Sequence, residues 1–153
     1  MIPLKDDNPT RGGKPIVTYG IIFFCVIIFF SQLGLSENEL RDFTYSYGLI
    51  PSVLMGIDNL PNDLFKISPI GTIFTSMFMH GGWMHLIGNM LYLWIFSDNI
   101  EDDLGTLNFI IFYLVCGIGA AMSQVLMDIN SQIPMIGASG AIGGILGAYL
   151  VNY

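Results

Sequence analysis

The sequence contains little charge. Of its 153 residues only 11% are Asp, Glu, Lys or Arg, whereas 53% are hydrophobic and the mean hydropathy is +0.64. Soluble globular domains carry about 25% charged residues. This composition excludes an ordinary soluble protein and indicates a membrane protein. Several apolar stretches separated by short polar ones fit one polytopic domain spanning residues 1–153.

Basic residues are the scarcest charged type. The chain has 12 acidic and 5 basic residues, a formal net charge of -7, and no Lys or Arg follows Lys66. Such a chain has no cationic surface for a phosphate backbone. We therefore expect no nucleic-acid partner, and we expect the lipid bilayer to surround the chain.

Cysteine is almost absent as well. Cys25 and Cys116 both lie in apolar stretches, where cysteine behaves as a small hydrophobic residue. They indicate neither a disulfide framework nor a zinc site, so we expect no metal and no cofactor. A cleavable signal peptide is not evident, because the first apolar run is long and ends at Gln32-Leu33-Gly34 rather than at a small-residue site. We expect that run to be retained.

Four apolar stretches are present, and each predicts a helix: residues 16–30, 83–96, 104–127 and from 137 to the end of the chain. With its flanks, the first run reaches about the 20 residues that a spanning helix needs. The acidic residues after 96 are expected to close the second helix; they are Asp98, Glu101, Asp102 and Asp103. The predicted fold class is an all-α polytopic membrane helix bundle.

The flanking segments suggest an orientation. Residues 1–14 form a polar arm with three basic residues, which favours a cytoplasmic amino terminus in a plasma or inner membrane. Residues 36–79 mix charges, prolines and apolar residues over a connection too long for a tight loop. Connections of this length are more often functional or separately structured. We expect an external first loop with short amphipathic turns partly embedded at the membrane interface.

Polar residues interrupt the second helix. His85 and Asn89 are four residues apart and therefore share one helix face. Within lipid such groups face the bundle or a water-filled cavity, where they serve either as interhelical hydrogen-bonding groups or as functional residues. His80 precedes two glycines at the loop-to-helix junction, where a structural role is favoured. Counting crossings brings His85, Asn89 and Ser139 near the same membrane surface.

The fourth helix opens with Gly137-Ala138-Ser139-Gly140. Small residues at spacings of four continue along it, which predicts a central helix closely approached by its neighbours. Ser139 has two interpretations. It is either a helix N-cap or a nucleophile that is open to a carbonyl and lies beside free backbone N–H groups that stabilise an oxyanion.

A serine nucleophile requires a general base. Only His80 and His85 are available in this sequence, and spacing alone favours His85. A transporter would use the same intramembrane polar residues as a permeation path, but the sequence shows no inverted repeat.

These blocks resemble those of the rhomboid intramembrane proteases. The similarity covers most of the chain: the opening MIPLKDDNPTR, the long first loop, HGGWMHLIGN, the turn EDDLG and GASG. By this resemblance Ser139 matches the nucleophile, while His85 and Asn89 match positions that hold the oxyanion. His80 matches a structural histidine. Glu101 and Gly105 match the pattern that shapes the turn into the third helix.

The resemblance also implies a fold and an activity. Rhomboids have six core helices and take their base from a histidine on the sixth, so this chain would hold four helices and lack the base. The implied activity is serine endopeptidase cleavage of transmembrane protein substrates by a Ser-His dyad, and residues 1–153 by themselves are expected to be inactive. The alternative is a non-catalytic rhomboid-like module that binds membrane proteins.

Overall fold

The protein is all-α, as its composition and apolar runs predict. A computed structural model describes residues 13–153, so most of the predicted amino-terminal arm lies outside the described residues. A 3₁₀ helix, Ser76–Phe78, joins the fourth and fifth of the seven α-helices found in this part of the chain. The α-helices are α1 Ile16–Leu33, α2 Glu37–Tyr47, α3 Pro51–Leu54, α4 Pro69–Thr75, α5 Trp83–Leu104, α6 Thr106–Met127 and α7 Ser139–Asn152.

Helices α1, α5, α6 and α7 pack together into the bundle. Their shared core is built from apolar side chains that are almost completely buried, including Cys25, Leu93, Phe109, Tyr113 and Ile145. Exposed aromatic and aliphatic side chains cover much of the outer surface of these helices. This is the arrangement of a membrane protein, in which lipid and not water meets the apolar exterior.

Helices α1 and α6 are long and apolar enough to cross a membrane, and they are the two that meet this criterion within residues 13–153. Helix α5 is as long as α6 but carries acidic residues near its end. Helix α7 is apolar and has 14 residues. Length and composition thus make α1 and α6 the candidate membrane spans of the described residues.

The predicted end of the second helix was wrong. Helix α5 does not stop at residue 96 but continues to Leu104, so the acidic residues belong to its last turns. Ile100 and Glu101 are buried there. The carboxylate of Glu101 accepts three hydrogen bonds from α1. Because these bonds stabilise the buried charge, the helix can continue past it. Glu101 is therefore an internal bundle residue.

The starts of α6 and α7 also differ from the predicted ones. Gly105 has φ 75°, so it separates α5 from α6, and α6 begins at Thr106 instead of 104. Gly137 has φ 128°, and α7 begins at Ser139. Both are backbone conformations that glycine adopts without the steric penalty of a side chain. The two glycines set the chain directions at the helix starts.

The first loop is more regular than the predicted amphipathic turns. Helix α2 has 11 residues and a complete capping box at its start. The hydroxyl of Ser36 accepts from the N–H of Glu39, and the Glu39 carboxylate accepts from the N–H and the hydroxyl of Ser36. These hydrogen bonds lower the pKa of the Glu39 carboxyl. The Ser-x-x-Glu signature was present in the sequence and predicts this helix start.

This loop is attached to the segment that precedes α7. Leu49 and Met135 exchange two backbone hydrogen bonds, of 3.0 and 2.8 Å, in an antiparallel bridge. The N–H of Ser52 donates to the carbonyl of Ser131 at 3.0 Å. The first loop therefore supports the backbone that leads into Ser139.

Small residues bring α7 against α6 on one face. A Cβ on Gly140 would lie 2.6 Å from Cβ of Ala120, and a Cβ on Gly144 would contact the Cys116 side chain. Gly143 and Gly147 have no such neighbour within 4 Å. Helix α7 is therefore closely approached on one side, as predicted, but its Gly143–Gly147 side is open among the described residues.

Candidate active site

Ser139 is the first residue of α7, and its side chain is exposed. The N-cap position belongs to Ala138, and no side chain caps this helix. The alternative interpretation of Ser139 as an N-cap is therefore wrong. The first intrahelical hydrogen bond of α7 is donated by the N–H of Ile142 to the carbonyl of Ala138 at 3.0 Å. The N–H groups before Ile142 therefore have no acceptor within the helix. Ser139 lies beside these donors and the positive end of the helix dipole.

His85 lies on α5, next to the same segment. A Cβ placed on Gly137 would lie 2.7 Å from Nε2 of His85 and 3.8 Å from Oγ of Ser139. The imidazole and the hydroxyl thus both lie near the space that a side chain at residue 137 would enter. A larger residue would be strained there, because φ is 128° and the His85 ring occupies the space.

Asn89 follows one turn later on α5 and is buried. Its Nδ2 atom has no hydrogen-bond partner in the part of the chain that the structure describes. A buried donor without an acceptor costs about 1–3 kcal/mol. A ligand that supplied an acceptor would offset this cost, but Asn89 does not line the cavity into which Ser139 opens.

His80 is buried, and its ring contacts that of His85 with centroids 5.1 Å apart. Neither ring nitrogen meets a hydrogen-bond partner within residues 13–153. Burial, together with the nearby His85, lowers the pKa of His80 to about 4. His80 is therefore neutral at physiological pH, and its buried ring packs against that of His85.

The serine opens into a cavity of about 420 Å³ between α6, the 3₁₀ helix and the segment 134–137. Ser139, Gly140 and Gln124 are among its lining residues. Gln124 was missed as a candidate functional residue. The signal for it was an amide side chain in the second, otherwise largely apolar half of α6.

Ser76 also contributes in a way the sequence did not indicate. Its carbonyl accepts a 2.8 Å hydrogen bond from the N–H of Gly137. This bond fixes the residue between His85 and Ser139. A backbone acceptor leaves no side-chain pattern in the sequence, so no local signal could have found it.

Glu101 and Gly105 lie away from the Ser139 cavity. The Glu101 carboxylate accepts from the N–H groups of Val17 and Thr18, each at 2.9 Å, and from the Thr18 hydroxyl at 2.8 Å. The N–H of Gly105 donates to the Glu101 carbonyl at 2.8 Å. Glu101 thereby shapes the turn through its backbone and joins α1 to α5 through its side chain.

Comparison with known families assigns the chain. The Rhomboid domain family model matches residues 69–153, which include His80, His85, Asn89, Glu101 and Ser139. The chain belongs to the rhomboid family. Rhomboids are intramembrane proteases, so this rhomboid is an integral membrane protein of a protease family.

Individual relatives agree with this assignment. The chain is 32% identical over 78 residues to RHOMBOID-like protein 5 of Arabidopsis thaliana, across 51% of this chain and 25% of that protein. It is 30% identical over 140 residues to rhomboid protease GluP of Bacillus subtilis, across 92% of this chain and 25% of that protein. It is 28% identical over 137 residues to putative rhomboid protease YdcA of Bacillus subtilis, across 89% and 61%.

The chain spans part of the length of these relatives. The matched region is 25% of the length of the first two relatives.

Proposed function

We propose that this chain carries the nucleophile and the oxyanion-binding groups of an intramembrane serine endopeptidase that cleaves transmembrane proteins. The observation that supports this most is the arrangement around Gly137, where a Cβ added to the glycine would lie within 4 Å of both the His85 imidazole and the Ser139 hydroxyl. Membership of a protease family gives the arrangement its chemical meaning.

In the proposed reaction, Oγ of Ser139 attacks the carbonyl carbon of the scissile peptide and gives its proton to a general base. The carbonyl oxygen becomes an oxyanion, held by N–H groups of the first turn of α7 and by donors from His85 and Asn89. Collapse breaks the C–N bond, and the protonated base gives its proton to the leaving amine. Water then hydrolyses the acyl-serine by the same steps, which restores the hydroxyl.

The general base is proposed to be a histidine beyond residue 153, as the family resemblance implies. Ser139, Gly143 and Gly147 recur every four residues and therefore share one face of α7. That face is open, and it lacks side chains that would keep another helix at a distance. A helix packed there would place its own side chains beside Ser139.

The decisive experiment is labelling with a serine-directed fluorophosphonate, carried out on the reading frame that contains this chain. We expect the parent protein to be labelled and to cleave a transmembrane substrate, and Ser139→Ala to do neither. Residues 1–153 alone should label very slowly, because a serine without its base is a weak nucleophile.

A matched serine controls for general reactivity. Ser123 is exposed on α6, and its hydroxyl donates to the Gly119 carbonyl at 2.8 Å. Ser123→Ala should leave labelling unchanged. Equal labelling of the parent and Ser139→Ala would remove Ser139 from its proposed role. Labelling of Ser139 without cleavage of any transmembrane substrate would favour the non-catalytic binding module.

The proposed orientation has a cytoplasmic amino terminus, so the first loop and Ser139 face outward. Asn62 is exposed in the first loop, and Thr106 is exposed at the start of α6, on the opposite end of α5 from His85. A membrane-impermeant maleimide added to intact cells should label Asn62→Cys and spare Thr106→Cys. The unmodified chain, with buried Cys25 and half-buried Cys116, gives the background. Labelling in the reverse pattern would invert the orientation.

A further inference from the structure

A second cavity, of about 390 Å³, lies within the first loop and is separate from the Ser139 cavity. It is bounded by α2, α3, the segment after α3 and residue 132 of the loop before α7. The proposed peptidase chemistry does not use any of the residues that line it.

One side of this cavity, the polar wall, is charged. Its charged residues are Arg41, Asp42 and Asp58. The Arg41 and Asp42 side chains are 3.4 Å apart and are 66% and 47% exposed. An ion pair that open to solvent contributes about 0–1 kcal/mol, so both groups remain available to a ligand. Oδ2 of Asp58 accepts from Nε2 of Gln132 at 2.8 Å, which fixes this carboxylate in place. The polar wall thus offers one guanidinium and two carboxylates.

Ser52 provides an independent sign of a ligand. It lines the same cavity, it is completely buried, and its hydroxyl has no hydrogen-bond partner among the described residues. An unpaired buried hydroxyl is unfavourable by about 1–3 kcal/mol. A bound polar group would satisfy it.

The other side of the cavity, the apolar wall, is formed by Val53, Leu60 and Leu64. Val53 and Leu60 also line a neighbouring cavity of about 650 Å³, together with Phe65 and Ile70. Phe65 and Ile70 are 50% and 67% exposed. Exposed apolar side chains on a loop between membrane helices are favourable where they meet acyl chains.

We propose that this loop binds a phospholipid with a phosphoethanolamine headgroup. The phosphate contacts the Arg41 guanidinium, the primary ammonium lies between the carboxylates of Asp42 and Asp58, and the Ser52 hydroxyl bonds to the headgroup. The acyl chains lie along the apolar wall towards Phe65 and Ile70. A choline headgroup has no N–H to donate to the carboxylates, and a glycerol headgroup has no cation for them.

Native mass spectrometry of the chain in detergent tests this with three lipids of identical acyl chains. We expect phosphatidylethanolamine to be retained about tenfold better than phosphatidylcholine or phosphatidylglycerol, as loss of one charge-assisted hydrogen bond would give. The double variant Asp42→Asn, Asp58→Asn should lose the preference over phosphatidylcholine. Arg41→Gln should weaken retention of all three lipids.

Two further variants separate binding from folding. Asp63→Asn removes an exposed carboxylate from the same loop, outside the cavity, and should keep the full preference. Ser52→Ala should weaken phosphatidylethanolamine retention while leaving thermal stability without lipid unchanged or higher, because the unpaired hydroxyl is gone.

Several results would overturn the proposal. Equal retention of the three lipids by the parent chain, or a preference that survives the double variant, would do so. Displacement of the lipid by soluble glycerophosphoethanolamine at equal concentration would assign the site to a free metabolite. None of these outcomes depends on Ser139, since Ser139→Ala should bind lipid as the parent does.

Discussion

Glu101 and Thr18 are joined by two hydrogen bonds: the backbone N–H of Thr18 donates to Oε2 of Glu101 at 2.9 Å, and its hydroxyl donates to the same atom at 2.8 Å. Both residues are buried. The Glu101 carboxylate lies against the first turn of α1, where backbone N–H groups have no intrahelical partner. One carboxylate on α5 thus completes the amino-terminal turn of α1.

Removal of this carboxylate should destabilise the bundle. Glu101→Ala leaves buried N–H groups without an acceptor, and we expect a loss of about 2–4 kcal/mol in the free energy of unfolding. The free energy of unfolding can be measured in mixed detergent micelles with an increasing fraction of dodecyl sulfate. Thr18→Val should cost less, because only the hydroxyl bond is lost, and Thr18→Ser should be close to the parent. Equal stability of Glu101→Ala and the parent would contradict the role of the carboxylate.

Gly137→Ala should separate folding from function. The new methyl group would meet Nε2 of His85 at 2.7 Å in a backbone conformation with φ 128°. We expect a strain of about 1–3 kcal/mol and a fall in cleavage rate of about 10²-fold, because the serine segment or His85 must shift. Substrate cleavage by the full reading frame measures the rate.

The matched control for this prediction is Gly119→Ala on α6, where an added Cβ meets nothing within 4 Å. Alanine favours a helix over glycine, so this variant should be as stable as the parent or slightly more stable. A Gly137→Ala protein with full activity would show that the close contact with His85 is not needed.

The two glycine faces of α7 should respond differently to a large side chain. Gly144→Leu should destabilise residues 1–153, because the space is occupied by the Cys116 side chain. Gly143→Leu should leave their stability unchanged, since that position is open. In the full reading frame, however, Gly143→Leu should reduce fluorophosphonate labelling, because the proposed base-bearing helix could no longer approach. Labelling at the parent rate would place the base on another face.

The pKa of His80 predicts a loss of stability in acid. Burial lowers this pKa from 6.5 to about 4, so the folded protein binds a proton less readily than the unfolded chain. The stability that the neutral ring contributes is therefore complete above pH 6.5 and declines as the pH falls towards 4. The slope for one proton is about 1.4 kcal/mol per pH unit.

Thermal unfolding at pH 7 and pH 4.5 measures this effect. His80→Gln has no titrating ring and should show a smaller decrease than the parent. His85→Gln is the second arm, because the His85 ring contacts that of His80 and contributes to the lowered pKa of His80. A parent protein with the same pH dependence as His80→Gln would refute the assignment.

Much of the helical framework could be predicted, because lipid-facing helices are long apolar runs. The runs beginning at Ile16 and at Leu104 predicted α1 and α6 close to their observed bounds. The predicted end of α5 was wrong because the acidic residues after 96 resemble a stop signal for an apolar helix. The groups that hydrogen-bond to the Glu101 carboxylate are at the start of α1, far away in sequence. The hydrophobic periodicity of α5 carries no information about this contact.

The candidate site was predictable in part, because the order of the apolar runs indicates which helix ends lie on the same side of the membrane. Crossing counts placed Ser139 near His85, and the structure brings both to Gly137. The backbone contact from Ser76 to Gly137 and the unpaired Nδ2 of Asn89 depend on tertiary packing. Helix α2 was different, since its capping box at Ser36 and Glu39 was a local signal that the interpretation of the loop as interfacial turns overlooked.

The bridge between Leu49 and Met135 has a consequence for the order in which the protein matures. It joins positions far apart in the chain, and such pairings form late because a long loop must close first. The helices can therefore be inserted before the backbone ahead of Ser139 is held in place. A newly made chain would then pass through a stage in which its helices are formed but the backbone ahead of Ser139 is not yet held by the first loop.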